Sequence, residues 1–359
     1  MIQGLNDLIY EAIKNEVFPG ANYCLVADQV YLNSFGNKSL YPNQEINNID
    51  TIYDLASVSK VISTTTAIML LLEAGKIRLY DAVSLYLPRF RHSDIVIWDL
   101  LTHTSGLPAD VHRANKIKSK EELLEQIYGC DLVYPKNTKI VYSDIGFMLL
   151  GFIIEEVSKM SLNVFAKQNI FDKLEMFDTG YCPQKKLRCA PTELRNDEIY
   201  HGYLQGDVHD EKAYILGGVA GHAGVFSTAK DLSHFIKMIL NDGIYNGKQF
   251  LSKPTIDLLY TKQVEVKNGI SLDVDSRGLG WIVKGNYSSA GDLASPNTIL
   301  HTGYTGTNIF IDRTNKVGFA LLSNRVHPTR ENVKIIPFRA KVGNYVISHF
   351  YQGAENENN

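Results

Sequence analysis

Segments with the pattern of β-strands lie near both ends of this chain, and segments with the pattern of helices occupy its middle. Near the start, GANYCLVADQVYLNSFG predicts two strands joined at Ala27–Gln29, and near the end NIFIDRTNKVGFALLSN predicts a hairpin around Arg313–Lys316. From Lys76 to about Gly224 the predicted elements are mostly helical. We therefore expect an α+β fold, an α/β sandwich in which one antiparallel sheet is built from both termini and flanked by helices.

The same distribution predicts how the chain is divided. Residues 1–75 and 225–352 would form a discontinuous α/β sheet domain, and residues 76–224 would form an inserted, mainly helical domain. The polar tail, residues 353–359, would be disordered. With 359 residues, 45% of them hydrophobic, the chain is long enough for one large domain or two interlocked ones.

Net charge and the first residues restrict the possible partners. The net charge is −3 and no block of Lys or Arg occurs, so nothing in the sequence favours a nucleic-acid partner. The first 17 residues predict an amphipathic helix rather than a signal peptide, and no run approaches the roughly 20 apolar residues of a membrane span. We therefore expect a cytoplasmic protein, unless an export signal has been removed. The sequence does not predict an oligomeric state.

The four cysteines, Cys24, Cys130, Cys182 and Cys189, are irregularly spaced. Six residues separate Cys182 from Cys189, which matches neither a Cys-x-x-Cys motif nor a zinc-finger spacing. The spacing therefore predicts reduced thiols in a reducing compartment.

The stretch DLASVSK, Asp54–Lys60, stands directly before an apolar predicted helix that ends at Gly75. Ser57 and Lys60 are three residues apart, which places their side chains on one helix face about 5–6 Å apart at Cβ. Ser59 is adjacent to Lys60 and cannot face it. Lys60 could accept the serine proton if burial and the helix dipole lowered its pKa. The alternative is a chance Ser-x-x-Lys with an exposed lysine, because so short a motif recurs by accident.

Two further stretches carry side chains suited to hydrolysis. YSD, Tyr142–Asp144, lies in a loop before a predicted helix, and HTG, His301–Gly303, lies on a predicted strand near the C-terminus. Each also has an ordinary explanation. Ser143 or Asp144 would cap the helix while the tyrosine packs, and the histidine would be a satisfied side chain on a strand that ends in a glycine turn.

In this order and spacing the three motifs resemble the serine β-lactamase and penicillin-binding-protein family, whose members carry Ser-x-x-Lys, then Tyr-x-Asn or Ser-x-Asn, then Lys-Thr-Gly or His-x-Gly. Other stretches resemble its class C β-lactamase-like branch, which also holds esterases, D-amino-acid-releasing peptidases and carboxypeptidases. They are WDLLTHTSGLP (98–108), VHDEKAYILGGVAGHAGVFSTAKDL (208–232), RGLGW (277–281) and LSNRVHP (322–328). The resemblance spans residues 18–328 and implies a β-lactamase/transpeptidase-like fold.

The resemblance implies a role for each matching residue. Ser57 would be the acylated nucleophile, Lys60 would share its proton, and Tyr142 would be the general base for acylation and deacylation. The backbone N–H groups of Ser57 and Tyr304 would form the oxyanion hole, in which each donor is typically worth about 3 kcal/mol. No metal or organic cofactor would be required. A different serine-hydrolase architecture is disfavoured because the chain has no Gly-x-Ser-x-Gly motif.

Two of the implied substrate-binding positions depart from the family pattern. The usual Asn is Asp144 and the usual Lys is His301, while Thr302 and Gly303 follow the pattern. Because histidine is mostly neutral at pH 7, a neutral ester or a cationic aminoacyl group should bind better than an anionic substrate. Alternatively, Asp144 only caps the helix and points away from the substrate.

These residues predict a serine hydrolase that acts through a Ser57 acyl-enzyme on a small-molecule ester, amide or β-lactam. Our first hypothesis is an esterase or a D-amino-acid esterase/amidase. The alternative is a D-alanyl-D-alanine carboxypeptidase or a weak class C-type β-lactamase. The substrates of these enzymes lie outside the membrane, and the sequence shows no signal that would export the chain there. A second alternative is a non-catalytic penicillin-binding module, although such a module needs no base.

Overall fold

The fold of residues 1–112, 116–267, 274–284 and 288–352 is described by a computed structural model. The predicted disordered tail, residues 353–359, lies outside these ranges. The strands, numbered along the chain, are β1 (Gly20–Val26), β2 (Val30–Ser39), β3 (Glu45–Ile46), β4 (Tyr53–Asp54), β5 (Gly180–Tyr181), β6 (Leu194–Asn196), β7 (His201–Tyr203), β8 (Val225–Ser227), β9 (Ile244–Tyr245), β10 (Lys248–Gln249), β11 (Val264–Lys267), β12 (Val274–Arg277), β13 (Ile282–Val283), β14 (Thr298–Thr302), β15 (Asn308–Asp312) and β16 (Val317–Ser323).

The α-helices are concentrated between the N-terminal and the C-terminal strands. They are α1 (Ile2–Lys14), α2 (Thr66–Glu73), α3 (Val83–Tyr86), α4 (Ile97–Leu101), α5 (Lys120–Gly129), α6 (Asp144–Ser158), α7 (Leu162–Ala166), α8 (Glu211–Ile215), α9 (Ala229–Leu240), α10 (Lys253–Tyr260) and α11 (Ile335–Phe350).

Nine of the strands form one antiparallel sheet in the order β11-β12-β13-β14-β15-β16-β1-β2-β3. Strand β1 pairs with its hairpin partner β2 on one side and with β16 on the other, where Ala21 faces Ser323 and Val26 faces Gly318. The N-terminal hairpin is therefore joined to the C-terminal one in a single sheet. The α+β fold with a sheet built from both termini is confirmed, and so are both predicted hairpins.

The middle of the chain is less purely helical than its sequence predicts. Helices α3–α8 lie there, but so do β5 and the β6–β7 pair, and β5 joins β4 and β8 in a small sheet beside the start of the serine helix. These strands are two or three residues long, too short for a period-two pattern to be visible in sequence. The division into a sheet domain and an inserted helical domain remains a prediction.

Both faces of the large sheet are covered, which explains why its central strands are apolar at nearly every position. Along β1, Tyr23 and Leu25 pack toward α1 and α11, whereas Cys24 and Val26 pack toward the helices of the other face. This alternation follows from the period of two in a strand.

The serine lies at the start of a long helical segment, Ala56–Glu73, on the second face of the sheet. The segment begins as a 3-10 turn (Ala56–Val58), widens to π-helical turns (Lys60–Thr65), continues as α2 and ends at Gly75 with φ +64°. It is long and apolar enough to cross a membrane, with a mean hydropathy of 1.2, but 78% of it is buried inside the protein. It is therefore the central core helix that the sequence predicts.

Candidate active site

Ser57 is presented by a sharp turn between β4 and the helical segment. Ala56 has a left-handed φ of +46°, which is uncommon for a residue with a Cβ, and its N–H donates to Asp54 Oδ1 at 2.8 Å. Ser57 is half-buried at the edge of a cleft. Ser59 is fully buried, and its hydroxyl accepts a hydrogen bond from the Val225 N–H at 3.0 Å. Ser57 is therefore the serine that a substrate can reach.

Lys60 is completely buried, so the alternative of an exposed lysine is wrong. Its Nζ donates to Ser57 Oγ at 3.1 Å and to the His222 carbonyl at 3.0 Å, and it lies 2.7 Å from Asp144 Oδ1. An ammonium group has three donors, and three acceptors surround this one. The lysine is therefore held in one orientation beside the serine.

The charge of Lys60 differs from the expectation. Burial alone would lower the pKa of its ammonium group, but the Asp144 carboxylate and the Tyr142 phenol outweigh burial and raise this pKa above its usual value. The prediction that burial and the helix dipole make Lys60 neutral is wrong for the resting site. Lys60 instead donates a hydrogen bond to Ser57 Oγ, which leaves the hydroxyl proton of the serine available to another acceptor.

Tyr142 lines the same cleft as Ser57 and contacts Lys60. Its ring centroid is 4.8 Å from Lys60 Nζ and 5.7 Å from the guanidinium carbon of Arg277. Its buried hydroxyl makes no well-aligned hydrogen bond with the described residues. The other side of the ring packs on His103, with centroids 4.6 Å apart, and His103 Nδ1 accepts from the Ser143 N–H at 3.0 Å. His103 therefore fixes both the ring and the backbone that follows it.

Asp144 does not cap the helix. The cap of α6 is Ser143, whose hydroxyl accepts from the Gly146 N–H at 3.2 Å. The Asp144 carboxylate is shared by two lysines, with Oδ1 2.7 Å from Lys60 Nζ and Oδ2 3.3 Å from Lys212 Nζ. Burial would raise the pKa of this carboxyl, but Lys60 in particular holds it below its usual value. Asp144 thus lies behind Lys60 rather than among the residues that line the cleft.

His301 lies on β14, opposite Tyr142 across the cleft, with ring centroids 6.1 Å apart. Its Nδ1 is 2.9 Å from the Thr302 carbonyl, so Nδ1 carries the proton and Nε2 presents a lone pair. Nε2 is buried without a partner among the described residues. Burial, and then the charge of Lys60, lower the pKa of His301 to about 3, so the ring is neutral at pH 7 as expected.

The end of β14 approaches the Ser57 turn more closely than a side chain would allow. A Cβ on Gly303 would lie 2.0 Å from Thr307 Oγ1 and 2.4 Å from the Leu55 carbonyl. Thr307 Oγ1 in turn donates to that carbonyl at 2.9 Å. Glycine therefore lets the end of β14 lie against the Leu55 carbonyl, two residues before Ser57, and the predicted oxyanion hole of the Ser57 and Tyr304 N–H groups remains a prediction.

The cleft has a volume of about 420 Å³. Six predicted site residues line it, namely Ser57, Tyr142, His301, Thr302, Gly303 and Tyr304. Four arginines line it too: Arg277, Arg325, Arg330 and Arg339. Arg325 and Arg339 donate to the backbone carbonyls of Tyr304 and Gly303, and Arg330 pairs with Glu193. Arg277 stands nearest to the proposed base.

Reasoning from the sequence gave no role to four residues of this site: His103, Lys212, His222 and Arg277. Each lies in one of the longer stretches that carried the family resemblance. The signal was therefore present, but without the fold nothing showed which side chains of those stretches turn toward Ser57.

Two other features do not compete with this site. Asp144, Asp210 and His222 have ligand atoms within 4.8 Å of one another, but the Lys212 ammonium lies 3.3 and 3.2 Å from the two carboxylates and supplies the positive charge there. A larger cavity of about 880 Å³ borders Phe165 and Tyr245. Ser158 is the serine among its described lining residues, and its hydroxyl already donates to the Met160 carbonyl, so this cavity does not present a serine paired with a base.

Comparisons with known proteins bear on the family and the fold. The family model described as Beta-lactamase matches residues 5–344. A protein of Salmonella agona (strain SL483) described as "Putative D-alanyl-D-alanine carboxypeptidase" is 34% identical over 94% of this chain and 84% of its own. Among solved structures, "EstCE1, a hydrolase with promiscuous acyltransferase activity" is similar with a TM-score of 0.77 at 19% identity, covering 96% of this chain and 98% of its own. "A class C beta-lactamase" is similar with a TM-score of 0.75 at 19% identity, covering 98% and 96%.

Proposed function

The chain belongs to the Beta-lactamase family, and from that premise we propose that it is a serine carboxypeptidase that releases a C-terminal residue, D-alanine in the first instance, from a small peptide. The observation that carries the proposal is Arg277, a cation that lines the cleft beside Tyr142. The description of the Salmonella relative supports the same substrate class. A cytoplasmic location remains a prediction.

Arg277 supplies the fixed positive charge that His301 does not. Its charge is strong enough at this position to contribute to the lowered pKa values of His103 and His301, after burial. A guanidinium binds a carboxylate through two parallel hydrogen bonds, which fix orientation as well as charge. The free carboxylate of a peptide could therefore be received on the Arg277 side of the cleft, with the scissile bond at Ser57.

The reaction follows from the contacts of Ser57. The Tyr142 phenolate accepts the serine proton while Oγ forms a bond to the carbonyl carbon, and Lys60 keeps the hydroxyl and the phenolate in place. The N–H groups of Ser57 and Tyr304 hold the oxyanion. The C–N bond then breaks, and the leaving amine takes the proton from Tyr142. Water attacks the acyl-enzyme by the same route and gives its proton to Tyr142. As the bond from Oγ to the acyl carbon breaks, Tyr142 returns this proton to Ser57 Oγ, which releases the shortened peptide and restores the free serine.

A second candidate is an esterase, the first hypothesis from the sequence. The observation that favours it is the rest of the cleft wall. His301 is neutral, and the aliphatic side chains of Ile282, Val333 and Ile336 line the same space, which suits an uncharged acyl or alcohol group.

The substrate panel that separates the two candidates pairs a peptide ending in D-alanyl-D-alanine with the same peptide carrying a C-terminal amide. We expect kcat/KM to be higher for the acid, and Arg277→Met to reduce it by up to about a hundredfold. A unit charge about 5 Å from a carboxylate is worth roughly 3 kcal/mol at an effective dielectric near 20.

The amide serves as the internal control, because it has no carboxylate and should lose less than about threefold on Arg277→Met. Equal rates for acid and amide in the wild-type protein, together with fast hydrolysis of p-nitrophenyl butyrate, would reject the carboxypeptidase and favour the esterase.

A further inference from the structure

Behind Lys60, five residues form a closed ring of contacts, which we call the lysine network: Lys60, Asp144, Lys212, Asp210 and His222. Asp144 bridges the two lysines, at 2.7 Å from Lys60 Nζ and 3.3 Å from Lys212 Nζ. Asp210 Oδ2 lies 3.2 Å from Lys212 Nζ, and Oδ1 lies 2.7 Å from His222 Nε2. The backbone carbonyl of His222 closes the ring by accepting from Lys60 Nζ at 3.0 Å.

Lys212 is the second buried cation of this ring. It stands on the short helix α8, is 3% exposed, and also contacts Asp110 Oδ2 at 2.7 Å. A buried ammonium is stable only with partners, and three carboxylates surround this one. These carboxylates outweigh burial and raise its pKa, so Lys212 remains a cation.

The two oxygens of Asp144 have different partners, and this division matters for Ser57. Oδ1 holds Lys60 and Oδ2 faces Lys212, so the negative charge of Asp144 is not directed to Lys60 alone. We propose that Lys212 is a positioning residue for the proposed hydrolysis. By pairing with Asp144 Oδ2, Lys212 takes up part of the negative charge of this carboxylate. Asp144 can then orient the Lys60 ammonium toward Ser57 without cancelling the positive charge of Lys60. The proposal rests on the proposed role of Ser57 as nucleophile.

The consequence of removing Lys212 follows from the charges. Lys60 would then be the remaining lysine beside Asp144, Asp210 and Asp110, and their excess negative charge would disfavour the Tyr142 phenolate that accepts the serine proton and the oxyanion that forms during acylation. Removing the charge of Asp144 at the same time restores the balance. The two substitutions should therefore be strongly non-additive, as is usual for residues in contact.

The test measures the reaction of Ser57 with a fluorophosphonate probe, which needs no physiological substrate. The Ser57 Oγ–P bond forms, fluoride leaves, and the serine proton passes to the base. We expect Lys212→Met to slow labelling by at least about tenfold, and Asp144→Asn combined with Lys212→Met to react at least about threefold faster than Lys212→Met alone, within the range of coupling between contacting residues. Lys212→Gln should behave like Lys212→Met and serves if the methionine variant does not fold.

Arg313→Met is the matched control. Arg313 also bridges two carboxylates, Asp242 and Asp257, but it lies on the β15–β16 hairpin and does not line the cleft. Its loss should lower the melting temperature while the labelling rate stays at the wild-type value.

Four results would be decisive. Labelling of both Lys212 variants within about threefold of wild type would overturn the proposal, and so would a double variant no faster than Lys212→Met. Labelling as expected without turnover of peptides or esters would leave Lys212 in its role and reject only the proposed substrates. A wild-type protein that is not labelled at Ser57 would overturn both.

Discussion

The lysine network behind Lys60 and the β14 wall of the cleft differ in whether their buried polar groups are paired. In the lysine network, the carboxylates and ammonium groups are paired at 2.7–3.3 Å, so the charges compensate one another, and His222 Nδ1 is left without a hydrogen bond among the described residues. On the side of β14, His301 Nε2 is buried without a partner among the described residues. Burying such groups costs free energy unless something completes them.

This difference separates the groups that hold the machinery from those that meet the substrate. A network whose charges are already paired can keep Lys60 in one orientation through every step. Polar atoms that are not satisfied can gain a hydrogen bond only when a ligand or water enters, so their contribution is made in the complex. Substitutions on the first side should therefore affect every substrate, and substitutions on the second should discriminate between substrates.

The largest expected effect tests whether Ser57 or Ser59 is the nucleophile beside Lys60. Ser57→Ala should reduce acylation by a factor on the order of 10⁴ or more, as removal of a nucleophile does in other serine hydrolases. Ser59→Ala should keep acylation within about tenfold. Its cost should appear in unfolding instead, about 1–3 kcal/mol, because the Val225 N–H loses its partner. Active Ser57→Ala and inactive Ser59→Ala would invert the assignment.

A second prediction concerns the fit of Lys60. Three acceptors surround one nitrogen, a geometry that an ammonium satisfies and a planar guanidinium does not. Lys60→Arg should therefore be nearly as damaging as Lys60→Ala, each by about 10²–10⁴ in acylation by the fluorophosphonate probe. If Lys60→Arg kept more than about a tenth of wild-type activity, Lys60 would act through its charge alone.

The sequence predicts which residues of the motifs form the site better than it predicts the charges and the contacts around them. Ser57, Tyr142 and His301 stand in motifs of fixed spacing, and the sheet is predictable because its long strands lie in hairpins that can be recognised in the sequence. The pKa of Lys60 was not predictable, since its direction depends on Asp144, 84 residues further along the chain. Arg277 was missed for the same reason, because only the fold shows that the end of β12 faces Tyr142.

A third prediction tests whether Arg277 supplies the charge that His301 lacks. As a single substitution, His301→Lys should change the ratio of the acylation rates with benzylpenicillin and with p-nitrophenyl acetate by less than about threefold. The reason is that Lys60 and Arg277 disfavour another buried cation at this position. In the Arg277→Met background the same change should raise the ratio by about tenfold or more, since it restores one charge near the carboxylate.

Both backgrounds are needed for that experiment. A large increase in the wild-type protein would show that Arg277 does not contact the carboxylate. No increase in either background would show that position 301 does not face the anionic end of the substrate.

The smallest expected effect concerns stability in acid and the unpaired side of the cleft. The pKa of His301 is about 3 in the folded protein, whereas an unfolded histidine has a pKa of about 6.5. Between these values the unfolded chain binds more protons, so stability is complete above pH 6.5 and falls as the pH falls toward 3. His301→Gln cannot bind that proton. Its free energy of unfolding should therefore decrease less between pH 7 and pH 4.5, by about 2 kcal/mol.

Urea unfolding at the two pH values measures this difference, with His349→Gln as the control because His349 is exposed on α11. The acid dependence should shrink in His301→Gln rather than vanish, since His103 is also buried with a lowered pKa and acts in the same direction. An acid dependence identical to wild type would mean that His301 is hydrated in solution. His301 would then no longer be a buried group without a partner, and the contrast between the charge-paired lysine network and the β14 wall would be lost.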